Sequence, residues 1–334
     1  MKLPSATIAL LVAIVFTIGA AIAGAEPAPS NRDNYVRVQL NDGRVLFAGG
    51  SNDDGKPVAR ATIYDPTANK FTLAGAMLAP RCGPIATLLP DGTVLIAGGA
   101  TCSDEPAPMK SLEIFDAKTA TFHTAGELTV PRFDLSETLL QNGKVLIAQG
   151  YDAAHTAVAR TELYNPATSA VEYGGSMVTP RCFASQTKLA DGVVLFAGGI
   201  RCDDPEHAAI KAAEIYDPAG QFARVGEMNV ARVCQSATLM KDGKVLIAGG
   251  ATGFSYAASL DSAELYDPEK ATFSPTGSMT KPRACASGAV RDDGTVLIKG
   301  GHSQSAPGTA PVDLTDSEIY DPATGKFTAA SLAQ

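Results

Sequence analysis

The stretch Asp242-Gly-Lys-Val-Leu-Ile-Ala-Gly-Gly250 recurs with little change at residues 42–50, 91–99, 142–150, 191–199 and 293–301. Successive starts lie 49, 51, 49, 51 and 51 residues apart. A period of about fifty residues signals a propeller or a solenoid, because one such unit cannot bury its own apolar face and must stack on its neighbours.

Within each unit, Asp/Asn-Gly ahead of a Val/Leu/Ile run reads as a hairpin turn of type I′, which needs positive φ at both central residues. In the fifth unit it joins an incoming strand at 235–240 to an outgoing strand at 245–248. The outgoing run is apolar on both faces, so it belongs inside the fold. The glycine pair ends it, where a missing Cβ allows a sharp turn or a close backbone approach. A variable loop then leads to a third strand, Ala263-Glu-Leu-Tyr-Asp-Pro268, whose pattern recurs at 61–66, 112–117, 161–166, 213–218 and 317–322. Proline cannot donate to a ladder and closes the strand. Fourth strands start at Phe71, Phe122, Val171, Phe222, Phe273 and Phe327. Each unit is therefore a four-stranded antiparallel meander, and six of them predict a closed all-β ring. Every unit owns its four strands in order, so closure is expected to rest on packing between the first and last.

The paired glycines after an apolar strand, the Tyr-Asp-Pro about a dozen residues on, the aromatic beyond it and the Pro-Arg before the next unit resemble kelch repeats. The likeness covers residues 32–332, and it implies a six-bladed kelch-type β-propeller with blades at about 32–75, 81–126, 132–175, 181–226, 232–277 and 283–332. The chain departs from the pattern in having Phe where the family usually has Trp, in Gln149 for the first glycine of the third pair, and in Asn165 for the Asp.

Ahead of the propeller domain, 32–334, residues 1–25 read as a signal peptide and 26–31 as a short linker. One Lys2 precedes the apolar run 6–23, and Ala23-Gly24-Ala25 suits a signal peptidase cutting before Glu26. A retained membrane anchor is the competing reading, since the run approaches the ~20 residues needed to span. The expected localisation is secreted, periplasmic or cell-surface, with membrane attachment only if the leader stays. Without Lys2 the chain has 26 basic and 35 acidic side chains. That balance, with no basic patch, excludes nucleic acid as a partner.

Six cysteines fit an oxidising compartment. Cys82 and Cys102 are 20 apart, as are Cys182 and Cys202, and in each pair one follows the Pro-Arg while the other sits in the next glycine-pair loop. Two disulfides within single blades are expected. Cys234 and Cys285 hold matching positions in adjacent blades and either bridge or remain free thiols.

Turns lie at one end of the meander, and the glycine-pair loops with the Pro-Arg connections lie at the other. The loops 51–60, 100–110, 151–160, 200–211, 251–261 and 302–316 differ while their flanks scarcely change. Variable loops on a rigid scaffold are the candidate binding rim. Ten residues before each Asp/Asn-Gly stand Arg32, Arg81, Arg132, Arg181, Arg232 and Arg283. Their guanidinium groups are candidates for holding a carboxylate, sulfate or phosphate. Presence in every unit, whatever the loop beside it, favours a structural role in bonding loop carbonyls or a neighbouring blade. His155, His207 and His302 fall on the rim and are binding candidates, whereas His123 does not. Asp53-Asp54, Asp104-Glu105 and Asp203-Asp204 also lie there, but none has a spacing that defines a metal site, and there is no CxxC pair.

Among kelch propellers, galactose oxidase builds a copper site on Tyr-His at an innermost strand start. Here the corresponding starts read Cys82-Gly-Pro, Phe133-Asp-Leu, Cys182-Phe-Ala, Val233-Cys-Gln and Ala284-Cys-Ala. None supplies Tyr-His, so the resemblance implies neither copper nor any other cofactor, and no catalytic residue. Bacterial sialic-acid mutarotases also resemble kelch propellers, and an arginine-lined mouth would suit an anionic sugar. The reading that follows is a monomeric exported module that binds a protein or glycan. A carbohydrate-active enzyme, either mutarotase or oxidase-like, and a scaffold without small ligand are the alternatives.

Overall fold

The computed structural model describes residues 35–52, 54–101, 107–204, 206–253, 258–304 and 309–330. Among these there is no helix, and every sheet is antiparallel. The leader, the linker and Arg32 lie outside the described residues.

Two compact units divide the chain, Met1–Gly174 and Gly175–Gln334. The first carries the sheets Tyr35–Gln39, Val45–Gly49, Arg60–Asp65, Lys70–Ala76; Ile85–Leu88, Val94–Ala97, Met109–Asp116, Thr121–Arg132; and Ser136–Leu139, Val145–Ala148, Arg160–Asn165, Ala170–Ser176. The second carries Ser185–Lys188, Val194–Ala197, Ala213–Tyr216, Phe222–Arg224; Ser236–Leu239, Val245–Ala248, Ala263–Asp267, Thr272–Pro275; and Ser287–Val290, Val296–Lys299, Ser317–Asp321, Lys326–Ala329. Spatial order equals chain order in all six. In the sixth, a ribbon of His302–Ser303 and Val312–Asp313 is inserted between the second and third strands.

The second strand of each sheet is the core. Val94 and Ile96 pack with Val38 and Leu46 of the first sheet, while Leu95 and Ala97 pack with Val145 and Ile147 of the third. In the second unit, Val245 and Ile247 join Leu195 of the fourth sheet, and Leu246 and Ala248 join Val296 and Ile298 of the sixth. Alternate side chains thus serve opposite neighbours, which is why the run must be apolar throughout. Each fully buried Leu or Ile contributes about 2 kcal/mol. On the third and fourth strands, Tyr64–Phe71, Phe115–Phe122, Tyr216–Phe222, Tyr266–Phe273 and Tyr320–Phe327 are directly opposed, with ring centroids 4.8 to 5.0 Å apart.

The inner hairpins differ from the expected type I′. Only the glycine of each Asp/Asn-Gly has positive φ, for example Gly43 at 86° and Gly243 at 85°. Gly43 N–H bonds Leu40 O at 3.0 Å, and Leu40 N–H bonds Arg44 O at 2.8 Å, a type I turn followed by a left-handed glycine. The preceding carboxylate explains the choice. Asp42 Oδ1 accepts the Arg44 amide at 3.0 Å, a bond repeated by Asp91, Asn142, Asp191, Asp242 and Asp293.

Gly49, Gly98, Gly198 and Gly249, each the first of its pair, make room for the next sheet. At Gly198 φ is +68°, and an added Cβ would stand 2.3 Å from Arg232 O. Gly243 has φ +85° but nothing within 4 Å. Gly198→Ala is expected to destabilise by about 3 kcal/mol or more, combining backbone strain with a collision that only movement of a sheet can relieve. Gly243→Ala is expected to cost only ~1–2 kcal/mol of backbone strain. Urea-unfolding midpoints of the two variants check the order.

Candidate functional site

The arginine before each inner strand forms the most regular feature of the loop end. Arg81, Arg132, Arg181, Arg232 and Arg283 are all 0% exposed. Each pairs with a glutamate on the third strand of the sheet that it introduces: Glu113, Glu162, Glu214, Glu264 and Glu318. Arg132 Nη2 lies 2.8 Å from Glu162 Oε1, while its Nη1 donates to Arg160 O at 2.8 Å and to Gln149 O at 3.4 Å. The carboxylate also accepts the amides of Thr129 at 2.7 Å and Val130 at 3.4 Å. Equivalent amide pairs reach the other four glutamates, from Leu78 and Ala79, Val178 and Thr179, Asn229 and Val230, and Thr280 and Lys281. Burial pulls the Arg132 pKa down and Glu162 opposes it. At Glu264 burial acts to raise the pKa, but the Asn229 bonds and Arg232 outweigh it and the net shift is downward.

For the five described arginines this geometry speaks against the candidate role of holding a solute anion and for the structural role that their recurrence favours. A side chain with no open surface, bonded to a glutamate and to backbone carbonyls, presents no donor outward. Sequence reasoning missed the glutamate. Its signal was present, because Glu264 and Tyr266 are two apart on one strand and must share a face, which the tyrosine marks as buried. A second missed position lies four residues before each arginine, where Met77, Leu128, Met177, Met228 and Met279 are all buried.

The cysteines resolve into two kinds. Cys182 and Cys202 form the expected disulfide, with Cα atoms 6.0 Å apart. Cys82 is disulfide-bonded, and its expected partner Cys102 lies outside the described residues. Cys234 and Cys285 are free thiols, so the alternative of a bridge between them is not the state found.

Of the histidines, His155 is exposed, has φ 58°, and stacks on Tyr151 at 5.4 Å between centroids. His207 is half-buried, with its amide on Asp204 O at 3.0 Å. His302 differs from its expected place on an open rim. It is only 6% exposed, paired through its backbone with Ala284, and burial lowers its pKa against the pull of Asp313. His123 is exposed beside the Thr121 hydroxyl at 3.0 Å. Asp203 is paired with Arg201 at 3.2 Å, and Asp53, Asp104 and Glu105 lie outside the described residues.

One sheet departs from the repeat in its polar groups. At the start of the third sheet, Asp134 has a left-handed backbone, φ 52°, where the second sheet has Gly83. Burial pushes the Asp134 carboxyl up to about 7, opposed by the neighbouring Tyr151 hydroxyl. Neither Asp134 Oδ2 nor the Tyr151 hydroxyl has a hydrogen bond of ordinary geometry. Burial also drives the Tyr151 pKa upward, with the Asp134 charge adding to it. Tyr151 packs edge-on against Phe133, 5.6 Å between centroids. On the adjoining strand, burial pushes Glu137 up to about 7. Both residues are half-buried, and the Asp134 Oδ2 atom itself is buried. Groups that titrate near neutrality can donate as well as accept a proton there.

This architecture of six four-stranded antiparallel blades defines a β-propeller. No family model and no curated protein matches the chain. A solved fungal alcohol oxidase of the AA5 family, in complex with copper, superposes with a TM-score of 0.68 at 17% identity. The match covers 90% of this chain and 65% of the oxidase, so the chain spans under two thirds of that protein's length. The solved structure of YjhT superposes with a TM-score of 0.66 at 15% identity, covering 92% of this chain and 99% of that one. At these identities the likeness is one of fold. The residues here do not fit a copper centre: among the described residues no three His, Cys, Asp or Glu side chains gather closely enough to hold a metal ion.

Two outcomes follow from this geometry. Glu162→Gln is expected to destabilise by about 3–5 kcal/mol by leaving Arg132 buried without its counter-charge. Glu172→Gln, removing an exposed pair with Lys144, is expected to cost under about 1 kcal/mol. Denaturant titration of both variants measures the difference. The second outcome concerns pH. Because Asp134 and Glu137 have folded pKa values above their unfolded ones, their contribution to stability is full below about 4 and is lost as pH rises through about 7. The thermal midpoint is expected to fall between pH 5 and 8, with a shallower fall in Asp134→Asn; scanning calorimetry across that range tests it.

Proposed function

We propose that the chain is an exported kelch-type propeller that binds a protein segment or a glycan through the loops following its glycine pairs. The observation that carries this reading is the bonding between those loops in the second unit. Ala209 N–H donates to Thr252 O at 3.1 Å, linking the loops of the fourth and fifth sheets. Ser259 N–H donates to Gln304 O at 3.0 Å, and Gln304 N–H returns to Ser259 Oγ at 3.0 Å, linking the fifth and sixth. Loops that merely drifted would have no cause to tie to one another, whereas a pre-ordered surface lowers the entropy cost of binding. Exposed Arg201, Asp203, Glu206 and Lys211 furnish polar contacts at its margin.

Export is supported by the leader pattern and by the Cys182–Cys202 disulfide. Among the described residues no helix is long and apolar enough to cross a membrane. A second reading, chemistry on a sugar, is favoured by one observation, the buried Asp134 carboxyl beside Tyr151, which with that of Glu137 titrates near neutrality.

Binding is tested by presenting the chain from Glu26 onward to a glycan array and to an extracellular protein extract. A ligand should emerge whose affinity falls at least tenfold, about 1.4 kcal/mol, in Arg201→Ala/Glu206→Ala at an unchanged thermal midpoint. Failure of both screens, or a ligand indifferent to the loop changes, overturns the binding reading. In the latter case an assay of sugar mutarotation or oxidation with Asp134→Asn decides for the enzyme.

A further inference from the structure

We propose that Cys234 and Cys285 are a reversible dithiol–disulfide pair, a redox-controlled cross-link between the starts of the fifth and sixth sheets. Each is the second residue after its arginine and stands two residues before the inner strand. They meet at the backbone, where Cys285 N–H donates to Cys234 O at 2.7 Å, and the neighbouring Cys234 side chain, with burial, pushes the Cys285 thiol up. A backbone hydrogen bond between the two residues holds them close to the ~4.4–6.8 Å Cα separation that a disulfide spans.

Two features mark this pair as switchable. Both cysteines are half-buried, so a small oxidant can reach them. Elsewhere in the same chain Cys182 and Cys202 are joined while these two are not. Disulfides that are strained or accessible have the more oxidising potentials and are the labile ones.

Exchange with an external disulfide, small or protein-borne, supplies the oxidation. Contact with Cys234 and burial push the Cys285 thiol up; attack of the Cys234 sulfur on the external disulfide gives a mixed disulfide and releases one external thiolate. Cys285 then loses its proton and attacks the Cys234 sulfur, forming the Cys234–Cys285 bond and expelling the second thiolate. The two protons lost by the cysteines end on the two released thiols. The external disulfide is reduced by two electrons and the cysteine pair is oxidised by two.

The test equilibrates the folded chain in glutathione buffers of graded poise, traps free thiols by alkylation and maps the peptides by mass spectrometry. The expected result is a window in which Cys182–Cys202 is joined while Cys234 and Cys285 are separately alkylated. A more oxidising poise should link these two, and re-reduction should restore them. Alkylation of both at every poise overturns the proposal, as does a link that opens only together with Cys182–Cys202. Cys285→Ser should leave Cys234 carrying a stable glutathione adduct; a folded variant without it overturns the order of attack. Should that variant not fold, the poise series on the unaltered chain decides alone.

Discussion

The buried arginine–glutamate pair is the interaction on which the rest of this fold depends. Each arginine stands where the chain crosses from one sheet into the next. Its side chain gathers the carbonyl of the first position of the glycine pair, a carbonyl at the start of the third strand, and the glutamate, all in the sheet that it introduces. Three of the arginine carbonyls also receive an amide from the sheet before, where Gly50, Gly199 and Gly250 donate to Arg81, Arg232 and Arg283 at 2.9 Å. At these positions one residue couples two consecutive sheets with its two ends. Desolvating a charge pair is costly, and the cost is met here because the carboxylate is filled with amide donors and the guanidinium with carbonyls.

The glycine pair follows from the same constraint. An arginine carbonyl can accept the second glycine's amide only if the first glycine carries no Cβ to hold it off, so arginine and glycine, 17 residues apart within a repeat and adjacent across the boundary between repeats, are one device. The third sheet modifies it with Gln149, which adopts φ 61° without being glycine and donates from Nε2 to Ser136 Oγ at 2.8 Å. That polar substitution falls in the sheet that also carries Asp134 and Glu137, so three polar departures from repetition share one sheet.

Strand order, strand count and the buried second strand were legible in the sequence, since they rest on period, apolar runs and turn residues. The hairpin type was not. Asp-Gly serves both a type I′ turn and a type I turn with a left-handed glycine, and what separates them is whether the Asp side chain caps the amide two residues on, a bond invisible to composition. The arginines were legible as a set, but their direction was not, because the partner glutamates were read as part of a strand pattern and not as acceptors. His302 was placed by loop position, whereas its backbone pairs with Asp313, eleven residues on, in a ribbon that no sequence motif marks. The Asp134 and Glu137 pair was hidden by the attention that repetition draws to what is shared.

At the register position of the glutamates, the first sheet has Thr62, 2% exposed, with a hydroxyl that finds no hydrogen-bond partner. In an array whose stability is the sum of unit and neighbour terms, a unit without the anionic anchor is the cheapest to detach. Opening of the native chain accordingly begins at this end. Amides of Tyr35–Gln39 and Arg60–Asp65 would exchange with solvent through fraying of a single sheet, while those of the later repeats wait for cooperative loss of the whole. The absent carboxylate thus gives a cyclically repetitive sequence a direction along which it comes apart.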